Sequence, residues 1–234
     1  MSPNAAHSST DTRMTLVIFC RRPAPGIGKQ RIAAELGTVK TVALTRHLLA
    51  TTLEDAAAWP GPVIVAPADA ADTEWADSLL TRPFDIIPQP SGNLGERICA
   101  VDSAVRAMGH TRLIYIGSDA PTLNEAYFDT ARATLDRCDV VLGPADDGGV
   151  TLMGAACPWP DLSALPWSSA KLGGALELIC TRHGLTVRRL ESRTDVDLLS
   201  DLPGLRNNIS DDPRPARRAL LHWLDTEGLR QAHS

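Results

Sequence analysis

The sequence predicts a single α/β domain with a mostly parallel sheet flanked by helices, and three observations lead to this fold class. The chain has 234 residues, a length that suits one domain with a sizeable core. Short runs rich in Val, Ile and Leu alternate with segments of helical periodicity, so successive strands need crossover connections and lie parallel. No internal repeat or long low-complexity linker divides the chain.

Seven apolar runs have the length of buried strands and are bounded by Gly, Pro or Asp. In chain order they are Leu16–Cys20, Val63–Ala66, Phe84–Ile87, Leu113–Gly117, Val140–Gly143, Val150–Gly154 and Thr186–Leu190. Only Pro144 to Gly149 separate the fifth run from the sixth, which is too short for a helical crossover. We therefore expect an antiparallel or edge excursion at this point of the sheet.

Helical patterns fill most of the intervals between these runs. Five helices are predicted: Thr38–Ala58, about 96–108, about 122–136, Lys171–His183 and Pro213–Glu227. The third opens on the capping-box spacing Thr122–Glu125, and the fifth follows Asp211-Asp212. Residues 1–13 are polar and carry no pattern with which to pack, so they are expected to form a disordered leader before a domain of residues 14–234.

Composition excludes several classes of function. The net charge of -5 argues against nucleic-acid binding, and no apolar run approaches the roughly 20 residues of a membrane helix. Five cysteines without a Cys-x-x-Cys pair are typical of reduced thiols, so a cytoplasmic location is expected. The chain lacks a Gly-x-Ser-x-Gly motif and its histidines lack metal-ligand spacing, which disfavours a Ser or Cys hydrolase and a zinc enzyme.

A basic loop follows the first predicted strand, at the sheet edge where ligands of open α/β sheets bind. Residues 21–31 hold four cations, Arg21, Arg22, Lys29 and Arg31, together with two prolines and two glycines. The loop is interpreted either as a phosphate cradle or as a solvated basic connection. It is not a Walker A loop, because Pro23 and Gln30 replace the required Gly and Ser or Thr.

Carboxylates follow three other strand-like segments. Asp119 stands directly after the fourth run, where it serves either as a Mg²⁺ ligand or as the partner of a helix start. Asp146-Asp147-Gly148-Gly149 follows the fifth run and reads as a cation site or as an ordinary turn. In Asp195-Val196-Asp197, alternate residues of an extended chain point the same way, so both carboxylates face one side while Val196 packs inward; the alternative is a helix start before Leu198.

Two polar loops are further candidates for substrate binding. The segment Gln89 to Arg97 carries Gly92, Gly95 and Glu96 and feeds a helix, so it lines a base or sugar pocket or is a simple connection. Trp167 sits in a Pro-Trp-Ser-Ser loop ahead of a helix, which distinguishes it from the other tryptophans, whose ordinary role is core packing.

Taken in chain order, these segments resemble the bacterial selenodomain-associated transferase family, whose members are glycosyltransferase-A-like. The resemblance is carried by Pro23 to Gly26 with Lys29 and Arg31, Gly92 to Arg97, Gly117 to Pro121, Leu142 to Gly149, Trp167-Ser168, and Asp195 to Asp197 ahead of Asp201-Leu202. It spans residues 14 to about 203 and implies the fold of nucleotide-diphospho-sugar transferases. Gln30, Asn93 and Val150 stand where the family usually has Thr, Asp and Tyr, and loss of that tyrosine is expected to change the acceptor pocket.

More distantly, the arrangement is similar to guanylyltransferases that activate phospholactate or phosphoenolpyruvate. In those enzymes a Lys-x-Arg loop follows the first strand, and a central Asp and a late Asp-x-Asp pair bind Mg²⁺. The similarity implies catalytic roles for Lys29, Arg31 and Asp119. It implies a metal site formed by Asp119, Asp195 and Asp197.

Motifs and resemblance together predict a Mg²⁺- or Mn²⁺-dependent transferase with a nucleotide donor. The leading hypothesis is nucleotidyl transfer from a nucleoside triphosphate to a small anionic or phosphorylated acceptor, with release of pyrophosphate. Besides the residues above, those expected to bind nucleotide or substrate are Arg21, Pro25, Gly26, Gln89, Gly92, Gly95, Glu96, Arg97, Ser118, Asp146, Asp147, Gly148, Gly149 and Trp167. The alternatives are a glycosyltransferase that uses a nucleoside-diphosphate sugar and a non-catalytic nucleotide-sensing protein.

Overall fold

Seven strands form one mixed sheet in the computed structural model of the chain, which describes residues 14–228. The strands are β1 (Thr15–Cys20), β2 (Val63–Pro67), β3 (Asp85–Ile86), β4 (Leu113–Ile116), β5 (Val140–Pro144), β6 (Val150–Ala155) and β7 (Val187–Arg189). Their order across the sheet is β3-β2-β1-β4-β6-β5-β7. The seven predicted strands are confirmed, whereas the predicted leader, residues 1–13, lies outside the described residues.

The helices cover the sheet and supply its crossovers. They are α1 (Gln30–Leu36), α2 (Thr38–Ala58), α3 (Thr73–Asp77), α4 (Leu94–Ala107), α5 (Glu125–Leu135), α6 (Leu172–Arg182), α7 (Leu202–Asn208) and α8 (Pro215–Trp223). Short 3₁₀ turns, Ala70–Asp72 and Leu199–Asp201, precede α3 and α7, and a π turn, Leu224–Gly228, follows α8. Within residues 14–228, none of the helices is long and apolar enough to cross a membrane.

The link between β5 and β6 makes the predicted antiparallel hairpin, but β6 is an inner strand. It pairs antiparallel with β4 on one side and with β5 on the other, while the remaining strand pairs are parallel. Because β6 runs in the opposite direction, its amino end lies at the same edge as the carboxyl ends of β4 and β5. The hairpin turn, residues 145–149, therefore also lies at the edge where ligands are expected.

Apolar side chains pack on both faces of the sheet, as the two-residue period of a strand requires. Leu16 and Ile18 of β1 join the core on the face covered by α2 and α5, and Val17 joins the core on the face covered by α4 and α6. A third cluster joins α1, α2, α7 and α8, and it includes the fully buried Val196. This third cluster anchors the segment that carries two of the predicted metal ligands.

Several helices differ from the predictions in their first residue, and α1 and α3 were not predicted. Helix α5 is capped by Asn124, which accepts a hydrogen bond from the Tyr127 amide, because the Thr122 hydroxyl instead donates to the carbonyl of Thr194. The last helix begins at Pro215, not at Pro213. The sequence interpretation missed α1 altogether, which begins inside the predicted basic loop.

Candidate active site

A cleft of about 1000 Å³ opens beyond the carboxyl ends of β1 and β4. Its walls come from the loops that follow these strands, from the start of β6, from the first turn of α4, and from segments 167–172 and 195–197. The position agrees with the rule that ligands of open α/β sheets bind beyond the strand ends, where the loops diverge. A second cavity, lined by the basic loop and by residues of α1 and α2, has a volume of only about 10 Å³.

The cations of the basic loop after β1 point in two directions, the arginines toward solvent and Lys29 toward the interior. Arg21, Arg22 and Arg31 are exposed and line the cleft, and of these Arg22 lies 3.7 Å from the Asp72 carboxylate. Lys29, by contrast, turns inward: its side chain is only 14% exposed. Its backbone is left-handed, with φ of 47°, directly after the left-handed Gly28. A non-glycine residue adopts this conformation rarely and at a cost, and such strain concentrates at functional sites.

Lys29 links two of the predicted metal ligands. Its Nζ donates to Oδ2 of Asp119 at 2.9 Å and to Oδ1 of Asp197 at 2.6 Å. Burial disfavours the charged amine, but the two carboxylates outweigh burial and raise the pKa of Lys29 above its usual range. Lys29 therefore places a cation inside the cleft, and it pairs with two of the three carboxylates that the resemblance assigns to a metal ion, Asp119 and Asp197.

Backbone hydrogen bonds hold the Asp195–Asp197 segment against the end of β4. The amide of Val196 donates to the carbonyl of Asp119 at 3.0 Å, and the Val196 side chain is completely buried. Oδ2 of Asp201 accepts hydrogen bonds from the amides of Asp197 and Leu198. With its middle residue packed inward, the segment presents both carboxylates to the cleft, as the alternation of the sequence predicts.

Three carboxylates form a compact acidic cluster, which consists of Asp147, Asp195 and Asp197. One carboxylate oxygen of each lies within 4.8 Å of the others. Burial, and then the charges of Asp119, Asp197 and Asp147, raise the pKa of Asp195 to about 7. Carboxylate oxygens are the ligands that Mg²⁺ and Mn²⁺ prefer. A bound cation also offsets the repulsion between clustered carboxylates. The residues therefore fit a divalent ion, with Asp147 in the compact set and Asp119 held by Lys29.

The other predicted site residues divide between the cleft wall and its supports. Those that line the cleft, in addition to the carboxylates and cations above, are Gln89, Arg97, Ser118, Gly149 and Trp167. Those outside its lining are Pro25, Gly26, Gly92, Gly95, Glu96, Asp146 and Gly148. Among the latter, the Asp146 carboxylate accepts hydrogen bonds from the hydroxyls of Ser192 and Thr194, and Glu96 forms a capping box with Asn93.

Two of the residues outside the lining shape the cleft by close approach. At Gly148, where φ is 91°, a Cβ atom would lie 2.2 Å from the carbonyl oxygen of Ala170. At Gly95 it would lie 2.1 Å from the carbonyl oxygen of Leu162. Both glycines therefore allow the segment around Trp167 to pack against the hairpin turn and α4, which forms one wall of the cleft.

Some cleft residues were missed by the sequence interpretation. Ser168 lines the cleft with a left-handed backbone, φ 61°, and no pattern in the Pro-Trp-Ser-Ser segment predicts this conformation. Tyr115 was assigned only to a strand, yet it lines the cleft floor, where its hydroxyl donates to the buried Asp102 carboxylate at 2.5 Å. Its position on β4 next to the strand end is the signal that could have identified it.

Comparison with known sequences decides the family. The family described as uncharacterized protein conserved in bacteria, DUF2064, matches residues 49–169, just over half of the chain. The chain belongs to DUF2064. The matched region includes Asp119 and Asp147 and ends at the Trp167 loop, whereas Lys29 and the Asp195–Asp197 segment lie outside it. A search of curated proteins gives no match to this DUF2064 protein.

Solved structures support the fold. A protein from Desulfovibrio desulfuricans G20, provisionally described as a nucleotide-diphospho-sugar transferase, is 26% identical, with a TM-score of 0.81 over 93% of this chain and 97% of its own. A cytidylyltransferase from Leptospira borgpetersenii serovar Hardjo-bovis is 12% identical, with a TM-score of 0.57 over 92% of this chain and 94% of its own. The predicted nucleotide-diphospho-sugar transferase fold is thus confirmed, and the predicted enzyme class, a transferase, is that of both neighbours.

Proposed function

We propose that this DUF2064 protein is a metal-dependent transferase that uses a nucleotide donor, and that it transfers a nucleotidyl group from a nucleoside triphosphate to a small anionic acceptor. The observation that carries the proposal is the charge arrangement of the cleft. A compact acidic cluster and exposed arginines line the same cavity. Such a site suits a phosphate ligand that binds together with a divalent ion, since the acidic cluster would hold the metal and the arginines would hold the phosphates.

Asp147, Asp195 and Asp197 would hold the Mg²⁺ or Mn²⁺ ion. When bound, the ion supplies positive charge that neutralises donor phosphates. The raised pKa of Asp195, about 7, supports this role because repulsion among the carboxylates is relieved by a cation. Asp119 stays within reach of the same site through its contact with Lys29.

Arg21 and Arg31 would bind the phosphates of the donor and stabilise the departing pyrophosphate. Both side chains are exposed and line the cleft, and neither pairs with a carboxylate within residues 14–228. Arginine suits phosphate because its planar group offers several donors at once. No nucleophilic side chain is required, because this class of transfer depends chiefly on positioning and on neutralising charge.

The part of the cleft lining that contains Arg97, Val150 and Trp167 would bind the acceptor. Trp167 and Val150 supply apolar surface, and Arg97, whose Nε donates to the carbonyl of Gly92, supplies a cation without a carboxylate partner in the described chain. The cleft volume of about 1000 Å³ accommodates a nucleotide together with a small second substrate. We also propose that the protein is related to the selenodomain-associated transferases and that it is cytoplasmic.

Glycosyl transfer from a nucleoside-diphosphate sugar is the second candidate. It is favoured by the description of the Desulfovibrio desulfuricans neighbour, which is the more similar of the two in sequence and in structure. The same metal site and arginines would then stabilise a nucleoside diphosphate as the leaving group. The two reactions differ in their products, since only nucleotidyl transfer releases pyrophosphate.

The test is a panel of nucleoside triphosphates and nucleotide sugars, each with and without Mn²⁺, followed by thermal shift and by release of pyrophosphate or nucleoside diphosphate. Binding to the native state raises the melting temperature by mass action, so the donor is detected even without its acceptor. We expect a triphosphate to give the largest metal-dependent shift, and Asp195→Asn to abolish it. Asp129→Asn, an exposed carboxylate on α5, is the matched control and should keep it.

Two results would contradict the proposal. A nucleotide sugar that gives the largest shift and releases nucleoside diphosphate would replace nucleotidyl transfer with glycosyl transfer. Metal-dependent binding without turnover of any donor, across a panel of acceptors, would favour the nucleotide-sensing alternative.

A further inference from the structure

We infer that Lys29 is a built-in counter-ion that competes with the divalent metal for Asp197 and leaves this carboxylate when the metal binds. The inference rests on the metal site of the proposed function. Beyond the proposed function, it assigns Lys29 a second position and links binding of the metal to binding of the nucleotide.

The geometry places the ammonium group where it shares a ligand with the metal. Lys29 Nζ lies 2.6 Å from Oδ1 of Asp197, which is a member of the acidic cluster, and 2.9 Å from Oδ2 of Asp119, which is not. A divalent ion held by Asp147, Asp195 and Asp197 would draw on the same carboxylate. Two cations that share one carboxylate repel each other at short range, so each weakens the binding of the other.

The position of Lys29 is specific and costly. Its side chain is 14% exposed, whereas that of Arg22 in the same loop is 57% exposed. The inward turn uses a left-handed backbone at a residue that has a Cβ atom, with φ of 47°. A lysine that only attracted phosphates could remain in solvent like its neighbours. Its burial against two carboxylates indicates that it offsets negative charge at the acidic cluster.

The lysine has a route to a second position. It stands at the start of α1 in the basic loop, and its flexible four-carbon stem allows the ammonium group to reorient within the cleft that it lines. Metal binding frees the ammonium group from Asp197, and donor phosphates attract it. Metal and nucleotide therefore favour the same position of Lys29, and each strengthens the binding of the other.

The first experiment uses the unmodified protein and labels its lysines with an acetylating reagent, with and without saturating MnCl₂. The chain contains only Lys29, Lys40 and Lys171, so peptide mass spectrometry resolves each rate. We expect Mn²⁺ to raise the labelling rate of Lys29 about tenfold. Lys40, which is outside the cleft, is the internal control and should not change. An unchanged rate at Lys29 under Mn²⁺ would overturn the inference.

The second experiment measures Mn²⁺ binding by electron paramagnetic resonance in the absence of nucleotide. Lys29→Met removes the competing charge and keeps the side-chain length, so we expect its affinity for Mn²⁺ to be about tenfold tighter than that of the wild type. Lys29→Arg should bind Mn²⁺ as weakly as the wild type, and Lys40→Met controls for the loss of a lysine elsewhere. Equal or weaker binding by Lys29→Met would refute the competition.

Failure of this inference is distinguishable from failure of the proposed function. If Asp195→Asn binds Mn²⁺ as well as the wild type does, the metal site itself is wrong, whatever happens at Lys29. If Asp195→Asn loses Mn²⁺ but Lys29 neither changes its labelling nor affects metal affinity, the metal site stands and the competition is refuted.

Discussion

Two clusters of charged side chains contact the loop that follows β4, and they differ in how their charges are paired. The buried network joins α2 to the C-terminal helix α8 and consists of Glu54, Asp55, Asp212, Arg214 and Arg217. The cleft contains four carboxylates, Asp119, Asp147, Asp195 and Asp197, beside the single ammonium group of Lys29. The charges of the buried network are paired with one another, whereas those of the cleft are the ones that the proposed metal ion and nucleotide would compensate.

The buried network satisfies its charges internally. Arg217 is completely buried, and its guanidinium group donates to the carboxylates of Glu54 and Asp55 and to the carbonyls of Thr51, Pro121 and Leu123. Asp55 also accepts from Arg214 at 2.5 Å. Every strong donor and acceptor has a partner, which is the condition under which buried charges are tolerated.

The acidic cluster of the cleft is undercompensated at short range, because within residues 14–228 the arginines that line the cleft form no ion pair with its carboxylates. One ammonium group faces four carboxylates, and burial and the neighbouring carboxylates together raise the pKa of Asp195 to about 7. Burial also raises the pKa of Asp55, but there Arg217 and Arg214 oppose the shift. Such a deficit of positive charge costs stability in the free protein. The divalent ion of the proposed function would relieve this repulsion.

The largest effect is expected when the buried network is broken. Arg217→Met should lower the free energy of unfolding by about 3–5 kcal/mol, because it leaves two carboxylates and several carbonyls without their donor. Arg218→Met, on the exposed side of the same helix, is the control and should change stability by less than about 0.5 kcal/mol. Urea unfolding measures both. Similar stabilities for the two variants would remove the distinction drawn between the clusters.

A carboxylate-to-amide exchange should change stability in opposite directions in the two clusters. Asp55→Asn loses ionic hydrogen bonds to two arginines, and we expect a loss of roughly 2–3 kcal/mol. Asp195→Asn relieves repulsion, and after allowance for solvent screening we expect a gain of about 1 kcal/mol at pH 8. Unfolding in metal-free buffer tests the pair. A loss of stability in Asp195→Asn would mean that its charge is compensated in the free protein.

The pH dependence of stability sharpens the same contrast. Since the pKa of Asp195 is raised from 3.8 to about 7, the folded state keeps a proton that the unfolded state releases above about pH 4. Asp195 therefore makes the protein less stable as the pH rises from about 4 to about 7, and its effect is constant above that range. The difference in melting temperature between Asp195→Asn and wild type should grow across this window. A difference that does not vary with pH would contradict the raised pKa.

Much of the fold follows from local patterns in the sequence. The apolar runs predict the seven strands because burial of Val, Ile and Leu is a local property of each run. The inner position of β6 is not predictable in this way, since the lengths of runs do not encode their order across a sheet. Helix α1 was missed because its start depends on the left-handed backbone at Gly28 and Lys29, which no side-chain periodicity reveals.

The candidate site was predictable in part. The alternation of Asp195 and Asp197 around Val196 is local, and the structure shows it. The inward turn of Lys29 depends on a partner 168 positions away in the sequence, and the approach of Asp147 depends on the β5–β6 hairpin. These are tertiary contacts, so the sequence left the loop of Lys29 open between a phosphate cradle and a solvated connection, and the grouping of Asp119 with the pair came from the resemblance alone.

Backbone strain provides the smallest test of the comparison. Within residues 14–228 the non-glycine residues with positive φ are Lys29 and Ser168, and both line the cleft, whereas the buried network has none. The left-handed conformation of Ser168 costs the folded state roughly 1–2 kcal/mol, and Ser168→Gly should remove this cost. The glycine also gives the unfolded chain more conformational freedom, which offsets part of the gain. The net gain should be about 0.5 kcal/mol, measured by urea unfolding, with the neighbouring Ser169→Gly as the control that should lose stability. A loss of stability in Ser168→Gly would show that the hydroxyl or the Cβ of Ser168 contributes more than the strain costs. The cleft wall would then be stabilised by side-chain contacts, as the buried network is.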